Sequence, residues 1–317
     1  MRTPFCDLLG IERPIVLAPM GGAVGPKLAA AVSNAGGLGL LPLTWSADPG
    51  VVRETQELTS RPFGGNLALE WDQHERLDAM LDAGLRIVSF FWGDPGLYVD
   101  RVHETGGIVM HTVGSAEEAK RVVQAGADVV VAQGFEAGGH VWGRVGTIAL
   151  VPAVVDAVAP VPVIAAGGIA DARGVAAVFA LGAQAAWVGT RFLLASEAPI
   201  HELYRRRLIA ADETDTDWFA DLFDQGWPNA PHRALRNTTV EAWEAAGRPP
   251  SGARPGEGEE IAVRPDGTPL MRYSSSTASK GTEGDIEGLS LWAGQGVALA
   301  TRVQPAAEIV AELVSRL

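Results

Sequence analysis

One glycine-rich stretch holds the residue types best suited to chemistry. Residues 128–143 read DVVVAQGFEAGGHVWG, and the turn within them carries Glu136 and His140. A neutral imidazole can take a proton from an acidic carbon near neutral pH, and a protonated one can donate to an anion. The apolar run Val129–Ala132 is typical of a buried parallel strand, and ligand sites of α/β folds lie beyond the carboxyl ends of such strands. The residues alone therefore leave two readings of His140, a catalytic residue or a loop histidine with a structural role. For Glu136 the pattern favours a carboxylate that caps the glycine loop over a second acid–base group.

Two further glycine turns follow apolar runs later in the chain. They are Gly167-Gly168 and Gly189-Thr190. A phosphate group needs several backbone N–H groups at close range, which glycine turns supply. In barrel enzymes the loops after strands seven and eight frequently form such a site, and Thr190 adds a hydroxyl donor. The turns predict a ligand that carries a phosphate. The alternative is that these glycines only form tight turns between a strand and the next helix.

Eight short apolar runs alternate with amphipathic stretches and would position these loops. The runs are Pro14–Ala18, Leu38–Leu41, Phe63–Leu69, Arg86–Phe91, Ile108–Thr112, Val129–Ala132, Pro162–Ala166 and Ala185–Val188. A helical pattern follows each of the first seven, and a last one begins near Pro199. This alternation predicts an α/β fold with a parallel sheet, and the count of eight favours a (β/α)₈ TIM barrel over a doubly wound open sheet.

The composition changes after residue 211. We assign residues 1–211 to the barrel, 212–290 to a smaller, mostly helical and loop segment at its mouth, and 291–317 to a segment that returns to the barrel with a closing helix. Aromatic residues in Trp218–Trp227 are spaced as in a helix, and Arg248–Gly267 is rich in Pro, Gly and Glu, which is typical of an exposed loop. The stretch Tyr273–Gly284 is expected to be flexible unless something holds it.

Charge and cysteine content narrow the function classes. The 317 residues carry a net charge of −13, which argues against nucleic acid and anionic membrane surfaces as partners. The single cysteine, Cys6, excludes an internal disulfide and fits a reducing compartment. No run of about 18 apolar residues occurs, so we expect a cytoplasmic protein. The histidine spacing predicts no metal site.

Several motifs together resemble the nitronate monooxygenase family, formerly called 2-nitropropane dioxygenase. They are Ala18-Pro19-Met20, Asn34-Ala35-Gly36-Gly37, the stretch from Gln133 to His140, Ala166-Gly167-Gly168-Ile169 and Gly189-Thr190-Arg191-Phe192. The resemblance runs in register from Pro14 to Glu197 and continues less specifically towards the C-terminus. It implies an FMN-binding TIM barrel, a flavoprotein that oxidises alkyl nitronates with dioxygen to carbonyl compounds and nitrite. A homodimer is compatible with it.

The resemblance also assigns roles to individual residues. His140 would be catalytic, and Asn66 and Gln133 would hydrogen-bond the isoalloxazine ring. The implied FMN site comprises Ala18, Pro19, Met20, Asn66, Gln133, Gly138, Gly139, Ala166, Gly167, Gly168, Trp187, Val188, Gly189 and Thr190. For the substrate pocket we name His111, at the end of the fifth run, with Trp142, Trp292 and Gln295.

One departure from the family pattern concerns specificity. After His140 the chain reads Val141-Trp142-Gly143, where a glycine is expected two residues past the histidine. The added bulk should reshape the substrate pocket. The alternative function is an NAD(P)H-dependent FMN reductase of the quinone or enoyl-acyl-carrier-protein type, although Gln133 favours the monooxygenase. A third alternative, from another class, is a flavin-free barrel isomerase or lyase.

Overall fold

The computed structural model describes residues 2–46 and 48–317. Eight strands form one parallel sheet, and a short additional strand, β7, lies outside it. The first nine strands are β1 (Ile15–Leu17), β2 (Gly39–Pro42), β3 (Phe63–Ala68), β4 (Ile87–Phe91), β5 (Ile108–Val113), β6 (Val129–Gln133), β7 (Gly139–His140), β8 (Val163–Ala166) and β9 (Ala185–Val188).

The parallel sheet closes on itself. Its order is β1-β9-β8-β6-β5-β4-β3-β2, so β1 and β2 stand at the two ends. These ends meet where Val16 bridges to Leu38, the residue before β2. Leu17 donates its N–H to the Leu38 carbonyl at 2.9 Å, and Leu38 donates to the Ile15 carbonyl at 2.9 Å. The predicted barrel, rather than the open sheet, is confirmed.

Helices surround the barrel and are capped largely as the sequence indicates. They are α1 (Pro4–Leu9), α2 (Pro26–Asn34), α3 (Gly50–Leu58), α4 (His74–Asp82), α5 (Val99–His103), α6 (Ala116–Gln124), α7 (Thr147–Val158), α8 (Ala172–Ala180), α9 (Thr190–Leu193) and α10 (Glu202–Ala210). Asp171 caps α8 by accepting from two backbone N–H groups. Ser115 caps α6, but the Glu118 carboxylate accepts from the Gly114 N–H at 2.7 Å instead of closing a capping box on Ser115.

The C-terminal third contains strands that the sequence did not predict. They are β10 (Thr216–Phe219), β11 (His232–Leu235), β12 (Glu260–Val263), β13 (Pro269–Met271) and β14 (Glu283–Gly284), and the helix α11 (Thr238–Ala245) lies between β11 and β12. The helix expected from aromatic spacing is wrong, because Trp218 lies in β10, which pairs with β11. β11 in turn pairs with β7, so this small sheet joins the mouth segment to the His140 loop.

Long-range contacts order the two stretches that were expected to be an exposed loop, Arg248–Gly267, and a flexible segment, Tyr273–Gly284. Arg254, expected in an exposed loop, is buried; its guanidinium binds Asp224 at 2.8 Å and lies 4.3 Å from the Tyr273 ring centroid. Thr277 donates its hydroxyl to the Gly21 carbonyl at 2.6 Å, so this part of the stretch is tied to the loop after β1. The closing helix α12 (Ala306–Leu313) packs onto the barrel. Within the described residues no helix is both long and apolar enough to cross a membrane.

Candidate active site

A cavity of about 250 Å³ lies at the carboxyl ends of the barrel strands. Every residue of the predicted FMN site lines it except Val188, whose side chain is fully buried in the layer between barrel and helices. The prediction for Val188 is wrong because successive side chains of a strand point to opposite faces of the sheet. Its neighbour Trp187 points into the cavity, so Val188 points away from it. The structure therefore brings the scattered motifs to one place.

One end of the cavity is a cradle of glycines. Gly167 and Gly168 adopt φ values of +101° and +71°, which only glycine takes readily. No group in the described part of the chain accepts their N–H hydrogens. The N–H of Gly294 donates to Thr190 Oγ1 at 3.0 Å, which leaves the Thr190 hydroxyl hydrogen free to donate. Amide donors of this kind suit a phosphate group.

The cradle depends on backbone contacts that no side chain could share. A Cβ added to Gly138 would lie 2.3 Å from the Gly294 nitrogen, and one added to Gly296 would lie 3.0 Å from the Gly168 oxygen. The C-terminal segment thus presses its glycines against the β6 and β8 loops. Glu136 supports this loop, as expected, because its carboxylate accepts from the Thr147 N–H at 2.9 Å and hydroxyl at 3.0 Å, at the start of α7.

His140 lines the cavity from β7 and is packed between aromatic rings. Its ring centroid lies 4.0 Å from that of Trp227 and 5.6 Å from that of Trp292. Its Nδ1 lies 3.4 Å from the Ala230 carbonyl oxygen. Burial, reinforced by the nearby His232, lowers the pKa of His140 to about 3. The imidazole is therefore neutral at pH 7, with Nδ1–H directed at the carbonyl and the Nε2 lone pair unprotonated.

His232 supports His140, a role that the sequence did not indicate. The two residues pair across β11 and β7, and their ring centroids lie 6.0 Å apart. His232 Nδ1 donates to the same Ala230 carbonyl at 2.9 Å, while its Nε2 accepts from the Phe223 N–H at 3.1 Å. Both ring nitrogens have a partner, so His232 is the tautomer that carries its hydrogen on Nδ1. Burial lowers the pKa of His232 to about 4 and keeps it neutral.

The two amides expected at the isoalloxazine ring bond mainly to the protein. Gln133 Nε2 donates to the His140 carbonyl at 3.0 Å, and its Oε1 accepts from the Trp142 N–H at 3.2 Å. Gln133 therefore holds the His140 loop through both ends of its amide, and one hydrogen of its NH₂ group remains free within the described chain. Asn66 Nδ2 donates to the Ser89 carbonyl at 3.1 Å. Both side chains line the cavity, and their contacts with a flavin remain a prediction.

Of the four residues named for the substrate pocket, only Trp292 lines the cavity. His111 points away from the barrel interior, on the opposite face of β5 to the cavity-lining Thr112, and is fully buried. Trp142 lies outside, where its Nε1 donates to the Glu118 carboxylate at 3.0 Å. Gln295 is exposed in a 3₁₀ turn. The bulky departure after His140 thus braces the loop from outside.

Sequence reasoning missed several residues of the cavity wall. Trp45 and Trp227 line its outer part, Ser275 lies at its edge, and Tyr204 donates its hydroxyl to the Trp292 carbonyl. Tyr204 and Trp227 follow no strand, so no motif marked them. No Asp, Glu, Lys or Arg side chain of the described residues lines the cavity.

A barrel with a cradle of free backbone N–H groups and a half-buried neutral histidine at its carboxyl face is typical of barrel enzymes that bind a phosphate-bearing cofactor. Comparison with known proteins narrows this class. A family model described as nitronate monooxygenase matches residues 2–75 and 68–316. The chain belongs to the nitronate monooxygenase family and is a flavin-dependent oxidoreductase.

Relatives of known name point to two activities. The chain is 38% identical to a (3aS,4S,5R,7aS)-5-hydroxy-7a-methyl-1-oxo-octahydro-1H-indene-4-carboxyl-CoA dehydrogenase of Mycobacterium tuberculosis, over 78% of this chain and 70% of that protein. It is 35% identical to a nitronate monooxygenase of Paraburkholderia phytofirmans, over 98% of this chain and 94% of that one.

Solved structures show the same division. FabK from Thermotoga maritima superposes with a TM-score of 0.82 at 34% identity and covers 99% of this chain and 96% of its own. A nitroalkane oxidase from Streptomyces ansochromogenes superposes with a TM-score of 0.79 at 31% identity, covering 99% and 97%. Both likenesses extend through the mouth segment as well as the barrel.

Proposed function

We propose that this protein binds FMN and uses dioxygen to oxidise alkyl nitronates or their parent nitroalkanes to carbonyl compounds and nitrite. The observation that carries the proposal is the neutral His140, which lines the same cavity as the glycine cradle, where no described residue contributes a charged side chain. The likeness to a nitronate monooxygenase over nearly the whole chain supports it.

The cradle fits the phosphate of a flavin mononucleotide. Gly167 and Gly168 would hold that phosphate through their free N–H groups, with the Thr190 hydroxyl as a further donor. The bound flavin would supply the redox chemistry, taking electrons from the substrate and passing them to dioxygen. Asn66 and Gln133 line the cavity where the ring would lie and would orient it.

His140 would handle the proton. Its Nδ1–H faces the Ala230 carbonyl, so Nε2 is the atom that can accept a proton from the carbon beside a nitro group. An imidazolium is unfavourable here because burial lowers the pKa of His140 to about 3. A nitronate anion formed beside it would offset that penalty, since an opposite charge at close range favours the charged form.

A second candidate is a reductase that takes hydride from NAD(P)H. The likeness to FabK and to the CoA dehydrogenases favours it. The cavity argues for the first candidate. A dinucleotide would need a second phosphate site, and the lining residues of the described chain include no lysine or arginine. The net charge of −13 further disfavours an anionic cosubstrate.

Aerobic turnover with 2-nitropropane and its nitronate tests the proposal. We expect stoichiometric nitrite release with oxygen consumption, and a loss of at least a hundredfold in kcat/KM for 2-nitropropane, the substrate that must give up a proton, in His140→Ala at unchanged flavin content. His74→Ala, which changes an exposed histidine on α4, is the matched control and should retain full activity. Wild-type protein that carries flavin but releases no nitrite would refute the proposal.

A further inference from the structure

We propose that the outer part of the cavity is a subsite for an uncharged aromatic ring of the substrate, formed by Trp45, Trp71 and Trp227. The proposal rests on the proposed function for the reacting group only. It assigns the part of the substrate that does not react, and it favours aryl-bearing compounds over short alkyl ones.

The three indoles form one continuous wall. Trp45 and Trp71 have ring centroids 4.3 Å apart at an interplanar angle of 60°, and Trp71 and Trp227 lie 5.1 Å apart at 64°. Trp45 and Trp227 meet edge to face at 6.5 Å and 81°. Because the rings are inclined to one another, the wall presents both ring faces and ring edges, which are the surfaces that bind a further aromatic ring.

This wall leads directly to His140. Trp45 and Trp227 both line the cavity, and Trp71, which is not part of the lining, packs against both rings. Trp227 lies 4.0 Å from the His140 ring, centroid to centroid, so a ring on the wall is one short linker away from that imidazole. The wall is therefore part of the reaction cavity and not a separate surface.

Exposure and charge define the occupant. Trp45 leaves 60% of its surface open at the cavity rim, whereas Trp227 is buried. An exposed indole beside a cavity gains most when an apolar, rigid group covers it. The neighbouring lining residues Pro42, Ala68 and Phe91 are also apolar. An anionic group would lose its hydration here without a cationic partner among the described lining residues, so the ring should carry no negative charge.

The test compares kcat/KM of the FMN-loaded protein for (2-nitroethyl)benzene and 1-nitrobutane. We expect wild type to prefer the aryl compound by about tenfold, Trp45→Leu to lose that preference, and Trp45→Phe to retain most of it because a ring remains. Equal kcat/KM values in wild type, or a preference unchanged in Trp45→Leu, would overturn the subsite.

A binding measurement separates this proposal from the proposed function. If neither nitro compound is oxidised, the proposed function fails, and the subsite is then judged by calorimetric Kd values for 3-phenylpropanamide and butanamide. A roughly tenfold tighter Kd for the phenyl amide, lost in Trp45→Leu and kept in Trp45→Phe, would support the ring subsite without turnover. Equal Kd values for the two amides, or a preference that survives Trp45→Leu, would overturn it.

Discussion

Replacing His111 by leucine should stabilise the protein, most of all in acid. His111 is fully buried, and neither ring nitrogen has a hydrogen-bond partner among the described residues. Burial lowers the pKa of His111 to about 4, against which a weak attraction from Asp94 acts. Leucine is close in volume and carries no polar atom, so the change removes two unpaired buried groups and leaves the packing nearly filled.

The pH dependence follows from linkage. Between pH 6.5 and about 4 the unfolded chain binds a proton at this position and the folded chain does not, so the free energy of unfolding falls as the pH falls. Between pH 7 and pH 5 the titration of His111 lowers the free energy of unfolding of the wild type by about 2 kcal/mol. The His111→Leu variant has no group that titrates at this position, so its free energy of unfolding does not fall for this reason. At pH 7 its free energy of unfolding should exceed that of wild type by about 1 kcal/mol, because the unpaired buried groups are gone.

Guanidinium unfolding at saturating FMN, at pH 7 and pH 5, measures both effects. We expect the gap in unfolding free energy between His111→Leu and wild type to widen by about 2 kcal/mol at pH 5. KM values should not change, because His111 lies on the far face of β5 from the cavity. A gap of the same size at both pH values, or a raised KM, would contradict this account.

Three further substitutions probe the cradle and the histidine pair. Gly138→Ala should lower FMN affinity at least tenfold by displacing the Gly294 backbone, whereas Gly25→Ala, whose Cβ meets nothing within 4 Å and which does not line the cavity, should not; equilibrium dialysis would compare them. Thr190→Val leaves the Gly294 N–H unpaired and should cost about 1 kcal/mol of stability and weaken FMN binding, while Thr190→Ser should behave as wild type in thermal unfolding and dialysis. His232→Phe removes the firmer donor to the carbonyl that orients His140, so kcat for 2-nitropropane should fall at least tenfold at full FMN content; unchanged kcat would exclude a positioning role.

The barrel could be predicted because its strands have a local signature. The strands read as short apolar runs, and several of them are closed by glycine, as at Val129–Gln133 and Ala185–Val188. Because both faces are apolar, the sequence does not show which side chains of a strand point into the barrel and which point towards the helices. In β5 nothing in the sequence shows that Thr112 faces the cavity and His111 the helices, and in β9 the same holds for Trp187 and Val188.

The mouth segment could not be predicted because its structure depends on distant partners. β11 is a four-residue strand whose neighbours are β10 and the two-residue β7 in the His140 loop. Such short strands carry no periodicity of their own. In the sequence His232 stands in no motif, and Trp227 belongs to a stretch with helix-like aromatic spacing. Only the folded structure places both side chains beside His140.

We expect the flavin of this barrel to be reduced by a nitro compound and not by a nicotinamide. Anaerobic mixing of the FMN-loaded protein with propyl-2-nitronate, and separately with NADH, tests it through the flavin absorbance. We predict rapid bleaching by the nitronate, which needs no proton transfer to His140, and no bleaching by NADH on the same time scale. Rapid bleaching by NADH alone would contradict the account and make this protein a nicotinamide-dependent reductase.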